Sequence, residues 1–155
     1  MIIDLCCGLG KWPTDDEVIS VDTNPKVKPT IVGDVRYLPL RKGIKPRLVH
    51  ASPPCRFFSY ARLRSIESYD ERGIAESLRI VAACFDAFKW LEADTWTLEN
   101  PQGVLRKIIR PNASTEWAAF EFTNKKTDFW SNNRGLKRAL IPKDVKQRLL
   151  ELSDL

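Results

Sequence analysis

The chain has 155 residues, which is enough for one domain with a hydrophobic core, and we interpret residues 1–155 as a single domain. Hydrophobic residues make up 43% and charged residues 29%, and no run approaches the roughly 18 apolar residues of a membrane span, which argues against a membrane protein. The formal net charge of +5 is compatible with a polyanionic partner such as nucleic acid.

The cysteine spacing and the N-terminal residues indicate in which cellular compartment the protein is expected. Cys6, Cys7, Cys55 and Cys84 match neither a zinc pattern nor a small disulfide scaffold, so we expect reduced thiols and no metal site. Cys84 is expected to be a core residue. Residues 1–5 lead directly into a predicted strand and lack the features of a signal peptide, which predicts a cytoplasmic protein.

Short runs of apolar or β-branched residues, bounded by Gly, Pro, Asp or Asn, predict strands at residues 2–6, 18–21, 30–32, 47–51 and 95–98. Apolar residues at the helical period predict a helix over residues 74–91. Asp22 and Asp34 come at the ends of the second and third strands. Strands separated by a helix or turns predict an α/β fold with a mostly parallel sheet flanked by helices.

The last third of the chain predicts a different pairing. Residues 115–132 place aromatic side chains on both sides of Asn124-Lys125-Lys126, which predicts an antiparallel hairpin that closes the sheet. Asp128 within it is interpreted as a turn residue. Residues 142–152 predict a terminal helix, with Pro142 near its first turn.

A glycine loop follows the first predicted strand, in the sequence Asp4-Leu5-Cys6-Cys7-Gly8-Leu9-Gly10. Glycine permits positive φ and a close approach of backbone to a ligand. Asp22 ends the next strand, where a carboxylate can accept hydrogen bonds from ribose hydroxyls, and Asp34 is suited to an exocyclic amine. The loop and the two acids together outline an adenosine site.

A second motif, Ser52-Pro53-Pro54-Cys55, follows the fourth predicted strand. Two prolines fix φ and remove two backbone donors, so the chain leaves the strand in a defined direction. Cys55 is then expected at the carboxyl edge of the sheet, where open α/β sheets bind ligands. The alternative is a Pro-rich loop with an incidental cysteine.

These motifs resemble those of class I S-adenosylmethionine-dependent methyltransferases, and in particular of the DNA cytosine-5 methyltransferase family. The resemblance covers residues 1–103 and is carried by Asp4 to Gly10, Asp22, Asp34, Pro54-Cys55-x-x-Phe58-Ser59-x-Ala61 and Glu99-Asn100. The Pro-Cys-x-x-Phe-Ser string is specific to that family, whereas all class I methyltransferases share the glycine loop. Residues 126–132 are similar to a block in small, virus-associated relatives.

The resemblance implies a Rossmann-like class I methyltransferase sheet with S-adenosylmethionine as cofactor and DNA as partner. It implies Cys55 as the nucleophile that adds to cytosine C6, Glu99 as the carboxyl group at N3, and Asn100 as a residue that holds the loop or the base. The cofactor-binding residues that it implies are Asp4, Cys7, Gly8, Gly10, Asp22, Asp34 and Pro53. The substrate-binding candidates are Arg56, Ser59, Arg62 and Arg106.

Departures from the family keep other functions open. The family's Gln-x-Arg-x-Arg motif and its long target-recognition region are absent, and Arg56 replaces the usual glutamine. Recognition is therefore expected to be short, nonspecific or supplied by a partner subunit. One alternative is a methyltransferase that acts on RNA or on an exocyclic amine. Another is a homologue that binds cofactor or nucleic acid without catalysis.

Three local features carry further expectations. Residues 11–17 are too few for an ordinary crossover helix, so the first connection is expected to be a turn at most. Trp12 within it is expected to cover this short loop. His50 precedes Ala51 on a strand that is expected to be buried, and we interpret it as a core histidine with satisfied hydrogen bonds.

Overall fold

The computed structural model describes residues 1–59, 70–115, 126–135, 150 and 153. Its strands are β1 (Ile2–Leu5), β2 (Val18–Asp22), β3 (Ile31–Val32), β4 (Leu48–Ala51), β5 (Thr95–Pro101), β6 (Ala113–Thr115) and β7 (Thr127–Ser131). Its helices are α1 (Glu71–Leu91) and α2 (Leu105–Ile108), with 3₁₀ turns at Pro25–Val27 and Val35–Tyr37. Arg62, the loop of the predicted hairpin and most of the predicted terminal helix lie outside the described residues.

The strands form one seven-stranded sheet in the order β3-β2-β1-β4-β5-β7-β6. The first five strands of the chain run parallel, whereas β7 is antiparallel to both of its neighbours. An α/β fold with a mostly parallel sheet and a C-terminal antiparallel pair is therefore confirmed. The chain moves outward from β1 to β3 and then returns to the other side of β1 for β4. Such a switch point is where open α/β sheets form their ligand crevice.

Helix α1 crosses between β4 and β5 and covers one face of the sheet. The Asp70 side chain accepts a hydrogen bond from the Gly73 N–H at 2.9 Å and caps its first turn. Glu92, in the left-handed conformation at φ 55°, ends the helix. The short helix α2 was not predicted, and residues 6–17 form no helix, as expected from their short length. No helix in the described ranges has the length and apolar character that crossing a bilayer requires.

The alternation of side chains along the strands divides the core between two faces. The face toward α1 is apolar, and there α1 packs on Ile3, Leu5, Val49, Ala51 and Leu98. The opposite face holds a smaller cluster that consists of Ile2, Leu48, Phe129 and Leu150. The middle of this opposite face is polar, because Asp4, His50 and Thr97 lie side by side on β1, β4 and β5. We call these three residues the polar row.

Strand β5 is longer than its predicted extent, which ended at Leu98. It continues to Pro101 because β7 pairs with its last residues, and Asn100 lies opposite Asp128. The prediction that Asp128 is a turn residue is wrong, since it is fully buried within β7. Its carboxylate accepts hydrogen bonds from Arg106 Nη2 at 2.9 Å and from the Ser114 hydroxyl at 2.6 Å, which offset the cost of burying the charge.

Candidate active site

A cavity of about 350 Å³ opens at the carboxyl ends of β1 to β4. Its volume lies within the range of about 300 to 1,000 Å³ that is usual for small-molecule sites. Among its lining residues are Cys6, Gly8, Asp22, Asp34, Arg36 and Pro54. The structure therefore brings together three predicted cofactor-binding residues, Gly8, Asp22 and Asp34, in one cavity beside the double-proline turn.

Gly8 and Asp22 are joined across the mouth of this cavity. The Gly8 N–H donates to Asp22 Oδ2 at 3.0 Å, and the Asn24 N–H donates to Asp22 Oδ1 at 2.8 Å. Gly8 has φ +55°, and no atom lies within 4 Å of the position that a Cβ would take. A carboxylate has about four acceptor positions, so each oxygen of Asp22 can accept a further hydrogen bond from a ligand hydroxyl.

The Asp34 side chain is hydrogen-bonded to Arg36, a residue that the sequence analysis did not place in the site. Arg36 Nε lies 3.0 Å from both Asp34 oxygens, and the Arg36 N–H donates to Oδ1 at 2.9 Å. These hydrogen bonds lower the pKa of Asp34. Arg36 also pairs with Glu76 on α1. An exocyclic amine at Asp34 would therefore compete with the guanidinium of Arg36. The sequence feature that could have predicted this pair is an aspartate two residues before an arginine at a turn.

Asp4, Cys7 and Gly10, three more of the predicted cofactor residues, do not line this cavity. Asp4 lies in the polar row and accepts a hydrogen bond from Trp12 Nε1 at 2.7 Å. Trp12 was expected to cover its loop, and its side chain instead contacts the sheet at Asp4 and His50. Burial, together with the charges of Asp4 and Asp22, raises the pKa of the Cys7 thiol to about 11. Gly10 is exposed.

We expect Cys7 to be alkylated slowly near pH 8, because a thiol with a pKa of about 11 is only about one-thousandth thiolate there. The rate of iodoacetamide labelling, followed by peptide mass spectrometry, measures this. Asp22→Asn removes one of the charges that raise the pKa and should accelerate labelling. Labelling of Cys7 as fast as that of an unfolded cysteine would contradict the burial described here.

Cys55 lies on a tight turn that is fastened to the chain after β5. Its carbonyl oxygen accepts hydrogen bonds from the N–H groups of Phe58 at 3.0 Å and Ser59 at 3.1 Å. Ser59 forms a β-bridge with Gly103, and the Val104 N–H donates to the Phe58 carbonyl at 2.9 Å. The Phe58 ring is fully buried in the core. The half-buried Cys55 therefore sits on an anchored turn.

Asn100 anchors the other end of the double-proline turn. Its side chain is fully buried, and Nδ2 donates to the Pro53 carbonyl at 3.0 Å. Pro53 is buried as well, whereas the next residue, Pro54, lines the cavity. The amide of Asn100 thus holds the segment that leads into Cys55.

Glu99 and His50 lie on the sheet face opposite α1. His50 Nδ1 is 2.7 Å from the Thr97 hydroxyl, and Nε2 is 3.0 Å from the Ser52 hydroxyl. Nε2 is also 3.8 Å from Glu99 Oε2. The expectation that His50 is a buried histidine with satisfied hydrogen bonds is confirmed, because its side chain is 1% exposed and both ring nitrogens have partners.

Arg56 and Arg106, two of the predicted substrate-binding residues, have different surroundings. Arg56 is exposed, with its guanidinium carbon 5.6 Å from the centre of the Phe57 ring. Arg106 is ion-paired with the buried Asp128 and lies 3.3 Å from Gln102 Oε1. Arg106 would have to leave Asp128 to bind a phosphate, so Arg56 is the more accessible of the two.

No group of three or more His, Cys, Asp or Glu side chains that could hold a metal ion occurs in the described part of the chain. No protein-family model matches the chain. No curated protein sequence gives a significant match either.

Proposed function

We propose that this protein is a class I S-adenosylmethionine-dependent methyltransferase that modifies cytosine C5 in DNA. One observation carries the proposal: the cavity that contains Gly8, Asp22 and Asp34 is also lined by Pro54, the residue before Cys55. A cofactor in that cavity would lie beside the proposed nucleophile. The order β3-β2-β1-β4-β5 is also that of doubly wound nucleotide-binding sheets, which supports a Rossmann-like fold.

The residues of the cavity fit S-adenosylmethionine. Asp22 retains acceptor positions for ribose hydroxyls, and the open space over Gly8 lets a ligand approach the backbone closely. Val21, Val35 and Ile80 supply apolar surface for an adenine ring. When bound, this cofactor supplies an electrophilic methyl group.

The chain's own residues then activate the base. Cytosine C5 is a poor nucleophile, and the addition of the Cys55 thiolate to C6 gives C5 the character of an enamine. Negative charge develops on the ring during addition, and a Glu99 carboxyl group that donates to N3 stabilises it. After transfer a base, such as a water molecule, takes the C5 proton, the electrons of the C5–H bond re-form the C5–C6 double bond, and the Cys55 thiolate leaves.

DNA is the proposed partner, with a second subunit as a source of target recognition. Residues 35–58 contain six Arg and Lys residues, of which Arg36, Lys45 and Arg47 pair with acids. The other three, Arg41, Lys42 and Arg56, are exposed and suit a phosphate backbone. A base in a duplex must be flipped out of the stack to reach Cys55. The free thiols that this chemistry needs agree with a cytoplasmic location, which is part of the proposal.

A transfer assay tests the proposal. The protein is incubated with S-adenosylmethionine that carries a labelled methyl group and with either DNA or RNA, and the nucleosides are separated after digestion. We expect label in 5-methylcytosine from DNA. Label in RNA alone would move the acceptor to RNA, and label in N4-methylcytosine or N6-methyladenine would replace the thiolate mechanism by amine methylation.

A second candidate is a non-catalytic homologue that binds cofactor or nucleic acid. The engagement of Asp34 by Arg36 favours it, because the acid proposed to meet the adenine amine is already occupied. Cofactor binding without transfer to DNA or RNA would support this second candidate.

We expect Asp22→Asn to weaken S-adenosylmethionine binding by about tenfold or more, because hydrogen bonds to a charged group contribute roughly 1.5–3 kcal/mol. Isothermal titration calorimetry measures the affinity. Asp86→Asn is the matched control, since it removes one negative charge from an exposed position on α1 outside the cavity. Equal affinity in wild type and Asp22→Asn would show that Asp22 does not contact the ligand.

A further inference from the structure

The polar row contains an ionisable group that the proposed reaction does not use. His50 is the single histidine of the chain, and its side chain is 1% exposed. Glu99, which is 9% exposed, lies beside it with 3.8 Å between His50 Nε2 and Glu99 Oε2. A buried imidazole thus lies next to the carboxyl group that is proposed to act on cytosine N3.

The ring of His50 is fixed in one orientation. Nδ1 lies 2.7 Å from the Thr97 hydroxyl, so Nε2 is the nitrogen that faces both the Ser52 hydroxyl and Glu99. The Trp12 ring meets the imidazole edge-on at 5.5 Å between centroids. A proton on Nε2 therefore points toward the side of the ring where the Glu99 carboxyl group lies.

The charges around His50 come from neighbouring strands. Among the described residues, Glu99 on β5 and Asp4 on β1 are the acids beside it, and Asp4 is its direct register partner. Thr97, Ser52 and Trp12 are its uncharged neighbours. The negative charges of these two acids favour a protonated imidazole.

The chemistry at Glu99 requires a proton at neutral pH. An isolated glutamic acid has a pKa of about 4.3 and an isolated histidine one of about 6.5, so a lone carboxyl group would be almost fully ionised near pH 7. Two interacting groups titrate as a pair, and their apparent pKa values belong to the pair. A histidine and a glutamate together thus retain one proton at a pH where a lone carboxyl group has lost it.

We propose that His50 is a positioning residue that shares one proton with Glu99 and keeps Glu99 able to donate to cytosine N3. The pair holds its proton either on His50 Nε2, beside a carboxylate, or on Glu99, beside a neutral imidazole, and the second form presents a carboxylic acid to the base. The proton returns to Nε2 when Cys55 departs. The role in transfer rests on the proposed function, whereas the proton-sharing pair is measurable without any reaction.

Nuclear magnetic resonance tests the pair directly on the full chain, because one histidine gives one set of imidazole signals. Wild type is compared with Glu99→Gln and with the charge-matched control Asp86→Asn. We expect Glu99→Gln to lower the titration midpoint of the ring by about one pH unit or more, because an opposite charge within roughly 4–6 Å favours the charged form. Asp86→Asn should leave the midpoint unchanged.

Equal midpoints in wild type and Glu99→Gln would overturn the proposal. If the wild-type ring does not titrate while the protein is folded, its ¹⁵N shifts near pH 7 report whether the ring is protonated. A ring that is protonated in wild type and neutral in Glu99→Gln supports the pair. A ring that is neutral in both proteins overturns it.

The role in the reaction has its own readout, the pH profile of His50→Gln. Glutamine keeps a hydrogen-bonding side chain but cannot hold the proton. We expect covalent capture of 5-fluorocytosine DNA to be about tenfold or more slower than in wild type near pH 7.5, and the deficit to shrink as the pH falls. A deficit that is equal at every pH would show a merely structural role. If wild type captures no DNA, the proposed function fails, while the resonance experiment still decides whether the pair exists.

Discussion

We expect Cys55→Ala to abolish methyl transfer to DNA and to leave the affinity for S-adenosylmethionine unchanged. In the proposed mechanism the thiolate is the group that activates C5, so without it the base has no route to the enamine-like state. The cavity is lined by Pro54 but not by Cys55, which is why cofactor binding should survive. Transfer rates with labelled cofactor and calorimetric affinities measure the two quantities on the same protein.

Two variants sharpen this result. Glu99→Gln should retain some activity, with a loss of about 10²–10⁴-fold, because it removes an acid and not the nucleophile. Cys84→Ala is the matched cysteine control, since Cys84 is fully buried on α1. Contact with Cys6 and burial raise the pKa of Cys84, so it is a neutral thiol and its loss should preserve transfer. Transfer that survives Cys55→Ala would contradict the thiolate mechanism and favour an amine acceptor.

We expect Gly103→Ala to destabilise the fold and to disturb the turn that carries Cys55. A Cβ at Gly103 would lie 1.9 Å from the Phe58 carbonyl oxygen and 2.7 Å from its carbon, and both are backbone atoms. The hydrogen bond from Val104 to the same carbonyl would have to lengthen or break. We expect the free energy of unfolding to fall by about 2 kcal/mol or more, as measured by chemical denaturation.

Gly33→Ala is the control for this substitution. A Cβ there would make ordinary contacts, 3.5 Å from Ile31 Cγ2 and 3.7 Å from Pro39. We expect its free energy of unfolding to stay within about 1 kcal/mol of wild type. An equal fall in the free energy of unfolding in the two variants would mean that the close approach of Gly103 to Phe58 does not make Gly103 less tolerant of a side chain.

Much of the sheet could be predicted from the sequence because its strands are short apolar runs with clear boundaries. Runs of that kind predicted all five parallel strands. The helical period predicted α1, with a start three residues later than the observed one. Gly8, Asp22 and Asp34 could be placed in one site because the carboxyl ends of parallel strands meet at one edge.

The features that were missed depend on contacts between distant parts of the chain. The length of β5 is set by β7, and local periodicity does not report such pairing. The same pairing buries Asp128, which draws Arg106 toward it and away from the solvent where a phosphate contact was predicted. Arg36 was missed because a charged residue in a turn is usually a solvated one, and here it holds Asp34.

The most direct test of the central claim is the intact mass of the protein after incubation with S-adenosylmethionine and a DNA oligonucleotide that contains 5-fluorocytosine. Fluorine stands where a proton must leave, so the link between Cys55 and C6 cannot be released once the methyl group is on C5. We predict a species with the mass of the protein, the oligonucleotide and one methyl group, joined through Cys55. Methylation of ordinary DNA without any such covalent species would contradict the claim.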